Sequence, residues 1–138
     1  MNLSHRFVLS TKGFCDIIDI TSRVEEAVKK SGVKEGFCII SCPGSTIGIT
    51  TIENEPQLLK DFKELMEKLV PSNKKYHHDD VWGEANGFSH LRSSLIKPFL
   101  IVPIENGKLV LGTWQQIVFV DFDNRERERE VLVKIFGK

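Results

Sequence analysis

No charge of one sign dominates this chain: nineteen basic residues balance nineteen acidic ones over 138 positions, so the overall field gives no drive toward nucleic acid or an anionic membrane. No apolar run approaches the roughly 20 residues a bilayer-spanning helix needs, and the Met1–Phe7 segment lacks the apolar stretch of a secretory signal. A cytoplasmic location with no membrane partner is expected. Cysteine is scarce: Cys15, Cys38 and Cys42 are odd in number and lack the tight paired spacing of a zinc ribbon or redox dithiol. Buried, reduced thiols are the reading. Internal repeats and low-complexity tracts are absent, which excludes solenoids and linker-rich architectures.

What is present is an ordinary globular composition, 41% hydrophobic and 28% charged. The length suits one domain spanning 1–138. Residues 3–10 and 14–20 read as paired strands around a Lys12-Gly13 turn. A short helix follows, capped at Thr21 or Ser22 and stopped by Gly32. Gly36–Cys42 is a continuous apolar run and predicts a strand buried on both faces. Ile47–Ile52 predicts another strand, and Asn54 and Pro56 open a helix that runs to about Val70. Leu58, Leu59, Phe62, Leu65, Met66 and Leu69 form its expected buried stripe.

Beyond a short helix over 89–95, strands are expected at 99–104 and 108–113 around an Asn106-Gly107 hairpin turn, then at 114–122 and 131–136. The fold class is α+β, a mainly antiparallel sheet with two helices packed on it. Between the last strands, residues 121–130 alternate charge, so Arg125, Arg127 and Arg129 would share one face of an extended segment. Such a row could hold phosphate. A solvated hairpin of weak ion pairs explains the pattern as well and is preferred.

Chemistry concentrates between Tyr76 and Ser94, which carries His77, His78 and His90 with Asp79, Asp80, Glu84, Asn86 and Arg92. His78 and His90, separated by glycines, can be folded toward one point, and two imidazoles with a carboxylate suit a catalytic divalent metal. His77 reads as exposed or capping. Glu53 is a candidate base or ligand, and the Ser45 and Thr46 hydroxyls with nearby amides are candidates for phosphate. Asn86 orients a ligand or makes a turn. Trp114 reads as core or interface, and Cys42 as a ligand only secondarily.

Four stretches carry a further signal: Ser45–Glu55, Tyr76-x-His78-Asp79, Ser89-His90-Leu-Arg-Ser-Ser94, and Val102-Pro-Ile-x-x-Gly-Lys-Leu-x-Leu-Gly-Thr-Trp-Gln115. Together they resemble the YjbQ family, also called UPF0047, over nearly the whole chain. The resemblance implies a compact α+β subunit in a homotrimer, with a weak, secondary thiamine-phosphate synthase activity that joins a pyrimidine pyrophosphate to a thiazole phosphate. That chemistry would use a small phosphorylated partner and a divalent metal such as zinc, magnesium or manganese.

On the matching positions Glu53, Asp79, His78 and His90 are expected to be catalytic, with His78 and His90 the metal ligands. Ser45, Thr46, Asn86, Arg92, Gln115, Arg125 and Arg127 are expected to hold substrate. Two departures stand out: Gly44 occupies the place of a histidine many members carry, and Asp123-Asn124-Arg125-Glu126 replaces the usual Asp-Gly-Pro-Arg turn. A non-catalytic trimer binding a metabolite or metal, and a metal-assisted phosphoesterase, are the alternatives.

Overall fold

A computed structural model describes residues 2–138. Eight strands and four helices run in the order β1 (Asn2–Thr11), β2 (Asp16–Asp19), α1 (Thr21–Ser31), β3 (Gly36–Ser41), β4 (Ile47–Ile52), α2 (Pro56–Leu69), α3 (Asp79–Trp82), α4 (Gly87–Ile96), β5 (Phe99–Glu105), β6 (Lys108–Leu109), β7 (Gln116–Asp121) and β8 (Arg127–Gly137). The strands form two sheets, ordered β1-β8-β3-β5-β6 and β2-β7-β4, and every pairing is antiparallel. The α+β expectation holds. Among the described residues no helix is long and apolar enough to cross a membrane.

The first correction concerns β1 and β2, which do not pair. Gly13, Phe14 and Cys15 all take positive φ, and the Phe14 and Cys15 amides donate to the Asp123 and Asp121 carbonyls. Three consecutive left-handed residues turn the chain out of one sheet and into the other, so β1 pairs with β8 and β2 with β7. By contrast the Asn106-Gly107 turn forms as expected, both residues at positive φ, though its second strand is only Lys108–Leu109. The 131–136 strand starts earlier, at Arg127, and the 114–122 strand shrinks to β7.

The main core lies under the larger sheet, where Ile40, Val133, Ile135 and Phe7 meet Val24, Ala27 and Val28 of α1. A smaller cluster of Cys15, Met66, Val118, Val120 and Phe122 anchors α2. Burial of β3 alternates, with Cys38 and Ile40 inside and Phe37 exposed, so this strand is covered on one face rather than two. The stripe of α2 is shallower than its periodicity suggests: Met66 is buried, whereas Leu65 and Leu69 are exposed. Its cap is Glu55 rather than Asn54, the carboxylate accepting from the Gln57 and Leu58 amides.

Helix α4 rests on β4, and this contact positions the chemistry. Its buried side carries Phe88, Ser89, Arg92 and Ser93, and the Ser93 hydroxyl donates to the Ile47 carbonyl. Gly48 lets the helix approach closely, since a Cβ there would lie 2.7 Å from Ile96 Cγ2 and 3.1 Å from the Phe122 ring. Gly48→Ala is therefore expected to cost about 1–3 kcal/mol by overpacking, measured by urea unfolding. A cost near zero would mean that α4 is free to shift.

Candidate functional site

Segment 76–90 reaches its shape through one carboxylate. Asp79 accepts from the Tyr76 and Gly87 amides at 2.9 Å each, and Gly83 ends α3 in the left-handed conformation. The closed loop carries His78 back to His90 on the first turns of α4, with ring centroids 4.5 Å apart in an edge-on arrangement. These backbone amides hold the Asp79 carboxyl below the ordinary aspartate value of 3.8. A depressed folded-state value means that its contribution is present above pH 3.8 and is lost as pH falls through the folded value. Acidification is thus expected to speed hydrogen exchange at the Tyr76 and Gly87 amides before the core strands, and Asp79→Asn to loosen them already at neutral pH. Equal protection in that variant would exclude the staple.

The imidazoles open onto a cavity of about 330 Å³, lined also by Gly44, Ser45, Thr46, Asn86, Asp123, Arg127 and Arg129, with Trp82 and Glu84 at its edge. The volume sits at the small end of ligand pockets. A larger depression of about 900 Å³ lies between α1 and the β5–β6 turn, lined by Lys29, Lys34 and Lys108 among others, and contains no histidine. Size favours that depression. Density of chemically active groups favours the smaller pocket.

Beneath the histidines runs a buried polar network, and here the solvated-hairpin reading is corrected. Arg129 Nε donates to Asp121 Oδ2 at 2.8 Å and its Nη2 to Asp121 Oδ1 at 3.1 Å and to Thr46 Oγ1 at 2.8 Å. Arg127 pairs with Asp123, and both aspartates are fully buried. Strand β8 begins at Arg127, so alternation puts Arg127 and Arg129 on the same face while Arg125 stays exposed outside the strand.

The two guanidiniums balance the two carboxylates, Arg129 also reaching Asp123 at 3.6 Å, so the pocket offers directed N–H groups rather than surplus positive charge. No hydrogen bond engages Nη1 of either arginine among the described residues. A Cβ at Gly44 would lie 3.4 Å from Arg129 Nη1, so the glycine leaves that nitrogen uncovered where a larger side chain would crowd it.

Burial lowers the His90 pKa below the ordinary 6.5, and His78 beside it pushes the same way. Neutral imidazole is therefore the resting form at neutral pH, the form that can accept a proton or ligate a metal. Burial opposes ionisation of Asp123, yet hydrogen bonds from the Asn124 amide, Asn86 and Arg127 outweigh it and keep the carboxylate ionised. Cys42 is buried with its thiol pushed up to about 11, so it supplies no thiolate.

Of the expected site residues, His78, His90, Ser45, Thr46, Asn86 and Arg127 meet around one pocket. Arg92 does not. It is buried, donating to the Val70 carbonyl and to Glu67, where it closes the end of α2. Glu53 lines a separate surface depression with Trp114, which is largely exposed, and Gln115 bonds Thr51 and the Gly112 amide beside the larger depression. Asp79 serves the loop. Missing from the expected set were Asp121 and Asp123, and Arg129 entered only as part of the alternating arginine row, although the alternation along the chain was the available signal.

Comparison with known proteins settles ancestry. The family model described as UPF0047 protein YjbQ-like matches residues 5–138. The chain belongs to this family. A UPF0047 protein of Archaeoglobus fulgidus is 42% identical over 126 residues, covering 91% of this chain and 95% of that protein. Among solved structures, a YbjQ-like protein from Sulfolobus solfataricus superposes with a TM-score of 0.94 at 31% identity, covering 100% of this chain and 99% of that one. A YjbQ/UPF0047 protein from Clostridium acetobutylicum gives 0.87 at 38% identity, covering 96% and 99%.

For a divalent metal, this YjbQ-like chain offers two adjacent imidazoles, of which His90 is disposed to stay neutral. Among the described residues no three His, Cys, Asp or Glu side chains converge into a metal-ligand cluster. Asp123 is engaged by Asn86, Asn124, Thr46 and Arg127. The fit is to a partial site completed by other oxygen donors, not to a closed structural one.

Proposed function

We propose that the pocket beneath His78 and His90 binds the phosphate of a small molecule and acts on it as an enzyme. The observation that carries this reading is the meeting of two imidazoles, rings 4.5 Å apart, in a pocket with arginine nitrogens that have no acceptor among the described residues. Arg127 and Arg129 Nη1 with the Ser45 hydroxyl would take phosphate oxygens in directed hydrogen bonds. The Asp121 and Asp123 carboxylates hold the guanidiniums in place, so little reorganisation is needed when the anion arrives.

With no cation on the imidazoles, His90, resting neutral, accepts a proton from the attacking group, and His78 shares or relays it. A divalent cation held by the two imidazoles would stabilise charge on a departing phosphate or pyrophosphate. Glu84, at the edge of the pocket, disfavours a second anion there. The joining of a pyrimidine pyrophosphate to a thiazole phosphate with release of pyrophosphate, implied by the family resemblance, belongs to this class of chemistry.

Titration with inorganic phosphate and pyrophosphate, with and without zinc or manganese, tests the reading by nuclear magnetic resonance. Shifts should concentrate on His78, His90, Arg127 and Arg129. Perturbation of Lys29, Lys34 and Lys108 alone would move the anion site to the larger depression and refute the assignment.

A further inference from the structure

Asn86 stands at the start of α4, a position where an asparagine ordinarily turns its side-chain oxygen onto the amides of the first turn. Here it makes no such cap. Its Nδ2 donates instead to Asp123 Oδ1 at 3.2 Å, across the pocket floor. That bond decides which amide atom faces where, because turning the group over would set its oxygen against an ionised carboxylate. The residue is 2% exposed, and Oδ1 is a buried side-chain polar atom with no hydrogen-bond partner among the described residues. Such an acceptor is rare in a native fold and points to a group that occupies the site only in the working state.

The position of Asn86 narrows the choice. It stands at the N-terminal cap of α4, four residues before His90, and both residues line the pocket with His78. Oδ1 is closed to water-sized neighbours. A cation, which draws a donor oxygen to about 2.0–2.2 Å, needs less room than a hydrogen-bonded water. The pair of imidazoles also lacks a third anionic or cysteine donor among the described residues, and an amide oxygen is a neutral one.

We infer that Asn86 Oδ1 is the third protein donor, with His78 and His90, to a divalent cation in this pocket. The inference rests on the proposed function for the cation's presence and adds the residue that completes its protein ligands. Two imidazole nitrogens and one carbonyl oxygen leave positions open for water and phosphate oxygens, the arrangement of a catalytic rather than structural site. Zinc and manganese suit this mixed donor set. With no carboxylate among the three donors, the cation retains positive charge for an anionic ligand, and binding of the two should be mutually reinforcing.

The test is calorimetric titration of the chelator-treated full chain with zinc, then manganese, and separately with inorganic phosphate. One cation per chain is expected, weakened about tenfold or more in Asn86→Ala and Asn86→Ser and at least as much in His78→Ala and His90→Ala. Asn86→Ser keeps a hydroxyl able to donate to Asp123 and cap α4, so it protects against mere misfolding, checked by a cooperative melt.

Zinc binding by Asn86→Ser as tight as in the parent overturns the inference while leaving a cation on the histidines. Loss of phosphate binding with zinc binding intact also overturns it, making Asn86 a reader of the ligand. If the parent binds no cation, the inference falls, and the phosphate titration then shows whether the anion site stands without it. Should both variants fail to fold, the carbonyl ¹³C resonance of Asn86 in the parent decides: it shifts on zinc addition if Oδ1 ligates, and an unmoved signal overturns the proposal.

Discussion

Arg129→Ala is expected to remove about 3–5 kcal/mol of folding free energy, a large part of the roughly 5–15 kcal/mol that holds a domain together. Asp121 is fully buried and takes two hydrogen bonds from the Arg129 guanidinium, with Thr11 Oγ1 donating at 2.6 Å and the Asp123 amide at 3.0 Å. Without the guanidinium its charge stays buried beside the equally buried Asp123, and two neutral donors cannot offset that repulsion and desolvation. Urea unfolding measures the loss.

Arg6→Ala supplies the control, because the Arg6–Glu130 pair is half exposed on both sides and should be worth no more than about 1 kcal/mol. Similar small losses in both variants would show that the network under the pocket is solvated and contributes little. The expected contrast comes mainly from burial, with the second bond of the Arg129–Asp121 fork adding to it, since each pair joins an arginine to a carboxylate at about 3 Å, 3.0 Å for Arg6 and 2.8 Å for Arg129.

His78→Ala and His90→Ala are expected to do the opposite. Both side chains are only partly buried, and neither ring has a protein hydrogen-bond partner among the described residues, so stability should change by less than about 1 kcal/mol. Metal content and turnover should fall by about a hundredfold or more, as when an essential ligand or acid–base group is removed. Metal analysis and melting curves on the same preparations separate the two readouts. A melt collapsed by several kcal/mol with metal and phosphate binding unchanged would make the imidazole pair a packing contact, and the proposed chemistry would go with it.

The two histidines were the most legible part of the site, because loop glycines and Asp79 within the same segment supply what brings them together. The arginine row was half legible. Alternation correctly put Arg127 and Arg129 on one face, but solvation was the wrong environment, since charge pattern carries no information about what covers a strand. The covering comes from Thr46 and Asn86, far away in sequence. Arg92 misled for the same reason: an arginine two positions from a site histidine points to the other side of a helix, and there it finds the open carbonyl end of α2.

Sequence alone determined the elements and the kinship: alternating apolar positions, the Asn106-Gly107 turn, Pro56 at a helix start and four spaced motifs are local or linear properties that need no third dimension. Tertiary structure decided the partition into two sheets, through left-handed backbone at 13–15, and decided which polar groups share a pocket. Glu53 and Gln115 look as chemical as His78 in the linear chain, yet they line other surfaces. The physical reason is that convergence depends on strand pairings between distant residues, such as Ile47 with Asp121, whose register places Thr46 beside Arg129.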